Sequence, residues 1–441
     1  MLLMWLACIS DPPPKPDVLL VVLDTVRADR LSSYGYARAT DTQLVEIANA
    51  GVLFEDVTAP SSWTWPSHAS LFTGAQPWEH AAHRSKDGVA IEGSDWSVSL
   101  MREDIPTLAE SFSKAGYETL AYSTNSLLDP ELGLMRGFSE SVATSDEAKT
   151  MALAQAALER DRDKPLFLFV NLMTAHAPYL VAEFVPWSAQ HKRDFDIRDQ
   201  PLDWAKPFLF TEYPGLNLPY YVDSGLNGEM LYTKGELSIP SEDLIKVGDL
   251  YDGELMRLNQ MLRTLILRWG NRRGMVAVTS DHGEYLGEKH RIGHGVDLDP
   301  SVLSVPLVIA YPGVIEPGTR RTEPVEMRRL GATLLDLADI PVKEGFLSSS
   351  YSLRRPQEGS VEAGVWGFRD WETSVGPQYG VRRRWIREGQ WAAAIDETGR
   401  GELYNTTLDP LCTRNVASNH ADVYQRFVQT AQQSFSAEYE N

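Results

Sequence analysis

Three short apolar runs constrain this chain more than anything else in it: Val18–Leu23, Leu166–Leu172 and Met275–Thr279. Hydrophobicity that continues over so few residues marks a strand covered on both faces, because a half-exposed strand would alternate. Helical stretches lie between the runs. Thr40 or Asp41 is placed to cap a helix through Ala50 that stops at Gly51, Pro106 opens one that closes at Gly116, and a long one spans about Ser241 to Gly270. Thr119–Ser123 and Val305–Ala310 add shorter strands. Strands alternating with helices predict an α/β fold with a mostly parallel sheet flanked by helices. In such sheets the ligand crevice lies outside the carboxyl ends of the strands.

Those strand ends carry chemistry. Val18–Leu23 ends in Asp24, Leu166–Leu172 leads to Ala175-His176-Ala177-Pro178-Tyr179, and Met275–Thr279 leads to Ser280-Asp281-His282-Gly283-Glu284. One such residue is readily a loop polar group or a cap; metal-type or acid/base residues at three separate strand ends point to a site. A fourth element is Ser61–Gly74, in which Pro66 suits a first helical turn and Gly74 an exit. Thr64 then sits where unpaired backbone N–H groups favour an anion, as a nucleophile would, although an ordinary Thr-capped helix reads the same way.

At 441 residues the chain exceeds one small core, so a large domain with a smaller companion is expected. Hydrophobic residues make up 43% and aromatics 10%, a globular composition. Forty-one Lys and Arg stand against 61 Asp and Glu, a net charge of -20, which argues against nucleic acid as a partner. Cys8 and Cys412 make no disulfide framework and have no zinc-finger spacing. Met1–Ile9 is apolar and ends in Leu-Ala-Cys before a Pro-rich stretch, resembling a bacterial lipoprotein signal with Cys8 as the lipidated residue. It lacks a preceding basic residue, and the apolar run is short. Residues 1–16 are therefore read as signal and tether, the protein as extracytoplasmic, and any membrane contact as a lipid anchor at Cys8. The sequence sets no oligomeric state.

Residues 180–240 lack clear periodicity and are rich in aromatics and Pro, as a lid or binding insertion would be. Ser, Gly and Pro accumulate over 346–364, which reads as a linker. Beyond it, Val365–Phe368, Tyr379–Ile386, Gln390–Ile395 and Glu402–Tyr404 are expected as short antiparallel strands. With a helix from about Ala421 to Phe435 they form a small C-terminal unit over 365–441.

Taken in order, these pieces resemble the sulfatases of the alkaline phosphatase superfamily. The resemblance runs through Val22-Leu23-Asp24-Thr25-Val26-Arg27-Ala28-Asp29-Arg30-Leu31, Ser33-Tyr34-Gly35, Gly51-Val52-Leu53-Phe54 and Trp63–Gly74. It continues in Phe169-Val170-Asn171, His176–Tyr179, Ser280–Glu284 with Leu286-Gly287-Glu288, and the C-terminal Glu402-Leu403-Tyr404 and Asp409-Pro410. It implies an alkaline phosphatase-like catalytic domain over 17–345. It also implies one divalent metal at Asp24, Asp281 and His282 with Thr64, and Thr64 as nucleophile. His176 would contact the ester group, and His294 would stand beside the leaving oxygen. A hard-ligand cation lowers a hydroxyl's pKa and neutralises charge on a sulfuryl or phosphoryl oxygen, and a nearby imidazole can protonate a departing alkoxide.

The departures redirect the chemistry. Sulfatases carry a Cys or Ser at the position of Thr64 and oxidise it to formylglycine, an aldehyde that Thr cannot give. Their following Arg is His68 here, expected as a weaker, pH-dependent anion contact, and their second Asp of the first motif is Thr25. Phosphoethanolamine transferases, lipoteichoic acid synthases and nucleotide pyrophosphatases of the same superfamily use an unmodified Thr. Their Asp-His-Gly-Glu run with a later His-Gly resembles Asp281–Glu284 and His294-Gly295. The expectation is a hydrolase of sulfate or phosphate esters, phosphate favoured, acting on a small-molecule, glycan or lipid-linked anionic ester through Thr64. A phosphoryl transferase and a non-catalytic anion-binding homologue are the alternatives. With one imidazole among the ligands, Zn²⁺ or Mn²⁺ is expected ahead of Ca²⁺ or Mg²⁺.

Overall fold

The computed structural model describes residues 15–91, 97–177, 179, 228–236, 238–239, 241–270 and 272–436. The leader with Cys8, Pro178 and most of the 180–240 stretch lie outside the described residues.

Eight strands form the central sheet: β1 Asp17–Leu23, β2 Val52–Phe54, β3 Glu118–Ser123, β4 Glu140–Ala143, β5 Leu166–Leu172, β6 Gly274–Thr279, β7 Leu307–Ala310 and β8 Thr319–Arg321. Their order is β8-β2-β7-β6-β1-β5-β3-β4. β1 lies at the centre, parallel to β5 on one side and β6 on the other. β7 alone runs against its neighbours β6 and β2.

Alternate residues of the central strands supply two separate cores, which is why these runs are apolar throughout. Val18, Leu20, Val22, Phe167, Phe169, Met275 and Ala277 face one layer. That layer contains helices α2 (Thr64–Thr73) and α3 (Leu108–Lys114). Leu19, Val21, Leu23, Leu168, Val170, Val276 and Val278 face the other, which holds α1 (Thr42–Asn49), α4 (Glu147–Glu159) and α5 (Ser241–Trp269). The capping box at Thr107 and Glu110 starts α3 as the Pro106 signal predicts. Asp41 precedes α1 but caps nothing; its carboxylate takes Ser32 and Ser33 instead.

Strand register sets the site. Ser123, Asn171, Val22 and Thr279 lie in one cross-sheet row. Asn125, Asp24 and Asp281 are each two residues beyond that row, so three parallel strands deliver three polar side chains to the same edge. The loop after β6 packs too tightly for a side chain at Gly283, where an added Cβ would meet Ser301 O at 2.2 Å and Arg27 Cγ at 2.9 Å.

The C-terminal sheet is antiparallel: β9 Val361–Val365, β10 Arg383–Glu388, β11 Trp391–Asp396 and β12 Gly401–Asn405, in that order. α6 (Ala421–Ser436) packs Phe427, Val428 and Ala431 against Ile386, Ala393, Ile395 and Leu403. β9 begins earlier than Val365–Phe368, inside the stretch that reads as linker, because Ala363 and Val365 join the main core. Residues Arg369–Ser374, between β9 and β10, form a short helix.

Candidate active site

α2 starts at Thr64, all ten of its residues are buried, and Gly74 ends it at φ 74°. A Cβ at Gly74 would lie 2.5 Å from Phe346 O, so glycine serves there both as left-handed cap and as close contact. Thr64 Oγ1 is 3.4 Å from His282 Nε2 and accepts a hydrogen bond of 3.1 Å from Asn125 Nδ2.

Asp24, Asp281 and His282 converge, with ligand atoms all within 4.8 Å of one another. Each carboxylate is half satisfied. Asp24 Oδ2 accepts from Asn125 Nδ2 at 2.9 Å and Asn171 Nδ2 at 3.3 Å, and Asp281 Oδ1 accepts from the N–H groups of Thr25 at 3.2 Å and His282 at 3.0 Å. Asp24 Oδ1 and Asp281 Oδ2 are buried without a hydrogen-bond partner. His282 Nδ1 lies 2.9 Å from Gly283 O; a carbonyl only accepts, so Nδ1 carries the proton and Nε2 offers its lone pair. Three acceptors thus face one another, with only the Thr64 hydroxyl, 3.4 Å from His282 Nε2, and His68 Nδ1, 3.5 Å from Asp281 Oδ2, as nearby donors; a divalent cation satisfies such a ligand set.

The protonation energetics agree. Burial raises the Asp24 pKa, and the Asp281 charge raises it further. Burial lifts Asp281 to about 7 against four smaller lowering contributions. His282 falls to about 3, chiefly through burial and then through His294. Burial thus favours the protonated carboxyls when no cation is present, and a cation favours their release of protons.

Thr25 contributes its backbone and not its side chain. It sits at φ 60°, a strained conformation for a β-branched residue, with Oγ1 turned back to Asp24 O at 2.7 Å. Tyr251 holds the strained peptide from the other side, donating to Thr25 O at 2.8 Å and accepting from Arg27 N at 2.9 Å. Arg27 then ties the first motif to the loop after β6, donating to Glu284 O at 2.9 Å and Glu288 Oε1 at 2.7 Å.

His176 and His294 stand at the mouth of the site, partly exposed where the metal-type residues are buried. Their rings lie 4.8 Å apart, and His294 is 4.5 Å from His282. His294 Nδ1 is 2.9 Å from Glu284 Oε1, and His176 Nδ1 contacts Ala177 O, which leaves both Nε2 atoms for a ligand. Burial, then His176 and Arg84, hold the His294 pKa well below the usual imidazole range.

His68 departs from expectation. Its Nδ1 donates to Thr64 O at 3.1 Å, its ring packs between Phe72 and Phe169, and burial holds its pKa at about 4. A neutral, fully buried imidazole is no pH-dependent anion contact near neutrality. Position i+4 from Thr64 places it one turn down, bonding within the helix.

A sulfatase model matches residues 16–340. The chain belongs to the sulfatase family. As a member it is an ester-bond hydrolase, and members of the family bind a divalent metal. A choline-sulfatase of Rhizobium meliloti is 30% identical over 464 residues, covering 92% of this chain and 83% of that protein. A Delta 4,5-hexuronate-2-O-sulfatase of Bacteroides thetaiotaomicron is 21% identical over 427 residues, covering 92% and 85%. Among solved structures, the phosphonate monoester hydrolase of Agrobacterium radiobacter superposes with a TM-score of 0.65 at 19% identity, covering 94% of each chain. At that identity the likeness carries the fold.

Asn125 is the site residue that the sequence reading missed, along with the partner roles of Asn171 and Glu284. An Asn just past a strand reads as a cap, and Asn125 is one: its Oδ1 accepts from Leu127 N at 3.0 Å. Among the described residues no helix is long and apolar enough to cross a membrane.

Proposed function

We propose that this sulfatase-family hydrolase cleaves phosphate mono- or diesters in preference to sulfate esters, through a covalent ester on Thr64 and without formylglycine. The observation that carries the reading is Thr64 Oγ1 at the α2 N-terminus, 3.4 Å from His282 Nε2, beside two buried carboxylate oxygens that have no partner. A divalent ion at Asp24, Asp281 and His282 with Thr64 would lower the pKa of the hydroxyl and neutralise charge on the ester oxygens. The imidazole among the ligands favours Zn²⁺ or Mn²⁺ over Ca²⁺ or Mg²⁺.

Thr64 Oγ1 attacks the phosphorus or sulfur, the bond to the leaving oxygen breaks with its electron pair going to that oxygen, and the proton lost by the Thr64 hydroxyl balances the one the leaving oxygen gains. His176 and His294, each with Nδ1 engaged by an acceptor, direct Nε2 at the ester and carry the proton to or from the leaving oxygen. His294 enters neutral, so it gains a proton as the substrate's negative charge arrives. The α2 N-terminus favours the anion.

A formylglycine hydrate has a second oxygen on the reacting carbon and can collapse to the aldehyde. Thr64 has one, so water must displace Oγ1 at the central atom. A phosphoryl centre accepts that second displacement well when its oxygens are neutralised, which tilts the substrate from sulfate to phosphate. The names of the curated relatives favour a second reading, a small sulfated sugar or choline-type ester as substrate.

The test is turnover of 4-nitrophenyl phosphate, bis(4-nitrophenyl) phosphate and 4-nitrophenyl sulfate by metal-loaded protein. Thr64→Ala is expected to abolish turnover while metal content stays intact. Mass spectrometry of quenched wild type should place the added group on the Thr64 peptide. Near-wild-type rates in Thr64→Ala would overturn the mechanism.

A further inference from the structure

Asn125 Nδ2 spends its two hydrogens on two different functional atoms, Asp24 Oδ2 at 2.9 Å and Thr64 Oγ1 at 3.1 Å. The orientation of the amide is not in question, because Oδ1 is held by Leu127 N at 3.0 Å and only an acceptor fits there. The residue is buried and anchored from behind: Asn125 N donates to Ser123 Oγ at 2.9 Å, and Ser123 Oγ donates to Asn171 Oδ1 at 2.9 Å. Asn171 Nδ2 in turn reaches Asp24 Oδ2 at 3.3 Å, so the polar chain closes on itself through three adjacent parallel strands.

We propose that Asn125 is a catalytic residue of the second half-reaction, donating to Thr64 Oγ1 as that oxygen is expelled from the covalent ester. This rests on Thr64 being the nucleophile. In that half-reaction the water oxygen bonds to the phosphorus, and the bond from phosphorus to Oγ1 breaks with its electron pair going to Oγ1. The proton lost by the water restores the Thr64 hydroxyl. Negative charge therefore develops on Oγ1, where the Asn125 N–H already points. In the attack that forms the ester, the same N–H turns the hydroxyl proton away from Asn125 and leaves Oγ1 its other lone pair. The second N–H fixes Asp24 Oδ2 and so turns Oδ1 into the acceptor cluster.

The demand is specific to threonine. An intermediate that collapses to an aldehyde breaks the bond from carbon to the ester oxygen, which departs with the sulfate, so no charge returns to an oxygen that the protein keeps. One that must expel Oγ1 depends on such a donor, and a preorganised donor to a developing oxyanion is worth about 10² to 10³ in rate.

The experiment is rapid-quench turnover of 4-nitrophenyl phosphate by metal-loaded Asn125→Ala and Asn125→Asp, with bound metal and thermal stability measured alongside. Asn125→Asp keeps an oxygen for Leu127 N–H, which guards against a loss that reflects only the missing cap. Both variants are expected to release about one equivalent of 4-nitrophenol in a burst, followed by steady-state turnover about 10² to 10³ below wild type. The Thr64 ester should accumulate in the mass spectrum. Variants that break down the ester at the wild-type rate, or that slow the burst as much as the steady state, overturn the role of Asn125 alone. Absence of any Thr64 ester in wild type, together with an active Thr64→Ala, overturns the nucleophile reading instead.

Discussion

His294 Nδ1 and Glu284 Oε1 are 2.9 Å apart, one on each side of the turn that follows the Asp281-His282 pair. Glu284 is fully buried, also receives Ala177 N–H at 3.4 Å, and has its pKa raised by burial. The carboxylate fixes the His294 tautomer and stabilises the ring whenever it takes a proton.

Glu284→Gln should keep the contact but lose the charge. Rates with poor alkyl leaving groups, which need a proton, should fall about 10²-fold, the low end for general acid–base catalysis. The 4-nitrophenyl ester, whose leaving group needs none, should lose far less. Measuring the ratio of the two rates in variant and wild type decides it, and an equal fall in both speaks against proton transfer by His294.

Thr64→Ser isolates the methyl group from the hydroxyl. The oxygen keeps its Asn125 and His282 neighbours, while the side chain gains rotamers that a β-branched residue lacks. Turnover within about tenfold of wild type is expected, since one extra rotamer choice costs at most about 1 kcal/mol. Steady-state kinetics on one aryl phosphate is the check, and a loss as complete as in Thr64→Ala would mean that the methyl group itself positions the oxygen.

Asp24 and Asp281 were legible because an apolar parallel strand must end in something polar, and that end is where the crevice opens. The direction of β7 was not legible, since a run such as Val305–Ala310 has the same composition whichever way it points. The left-handed turn at Thr25 was hidden for a different reason. It is imposed from outside by Tyr251 and Asp281, both more than 200 positions away in sequence. His68 looked like a site residue by alignment with an arginine. Only the packing of α2 against Phe169 shows that its ring is buried behind the site, with Nδ1 3.5 Å from Asp281 Oδ2. Asn125 was not legible, because an Asn just past a strand is an ordinary cap, and here one amide serves the backbone with its oxygen and the site with its nitrogen.

Asp297 joins the loop after β6 to the C-terminal sheet, 2.5 Å from Arg383 Nη1 and 2.6 Å from Arg291 Nη2. Burial pushes its pKa up, but Arg383 and then Arg291 outweigh burial and hold it below the usual carboxylate range. A carboxyl lowered on folding stabilises the fold above its unfolded pKa and ceases to do so as pH falls through the folded one. Asp297→Asn should therefore cost about 3 kcal/mol at pH 7, as expected for two arginines left without their shared anion. The deficit should shrink as denaturation is repeated below about pH 4. A deficit that is flat with pH would assign the loss to packing.

Asp281 carries the opposite sign. Its carboxyl is lifted to about 7 by burial, so in the metal-free fold it is stabilising while protonated and costs stability once ionised. The metal-free protein should lose thermal stability as pH rises from 5 through 7 to 8, a trend that Asp24, also raised by burial, reinforces. A divalent ion reverses the trend, because binding releases the protons and pairs the carboxylate oxygens that have no other partner. The gain in Tm on adding Zn²⁺ or Mn²⁺ should therefore be larger at pH 8 than at pH 5, and metal affinity should rise with pH over that window. Asp281→Asn removes the titrating group but keeps a side-chain oxygen for the Thr25 and His282 N–H groups. It should weaken the pH dependence of the metal-free protein, leaving the part due to Asp24, and abolish the metal-induced gain. Melting curves with and without chelator at three pH values read both effects. A metal-induced gain equal at pH 5 and pH 8 would show that Asp281 is already ionised in the metal-free fold, and that the buried oxygens are satisfied some other way.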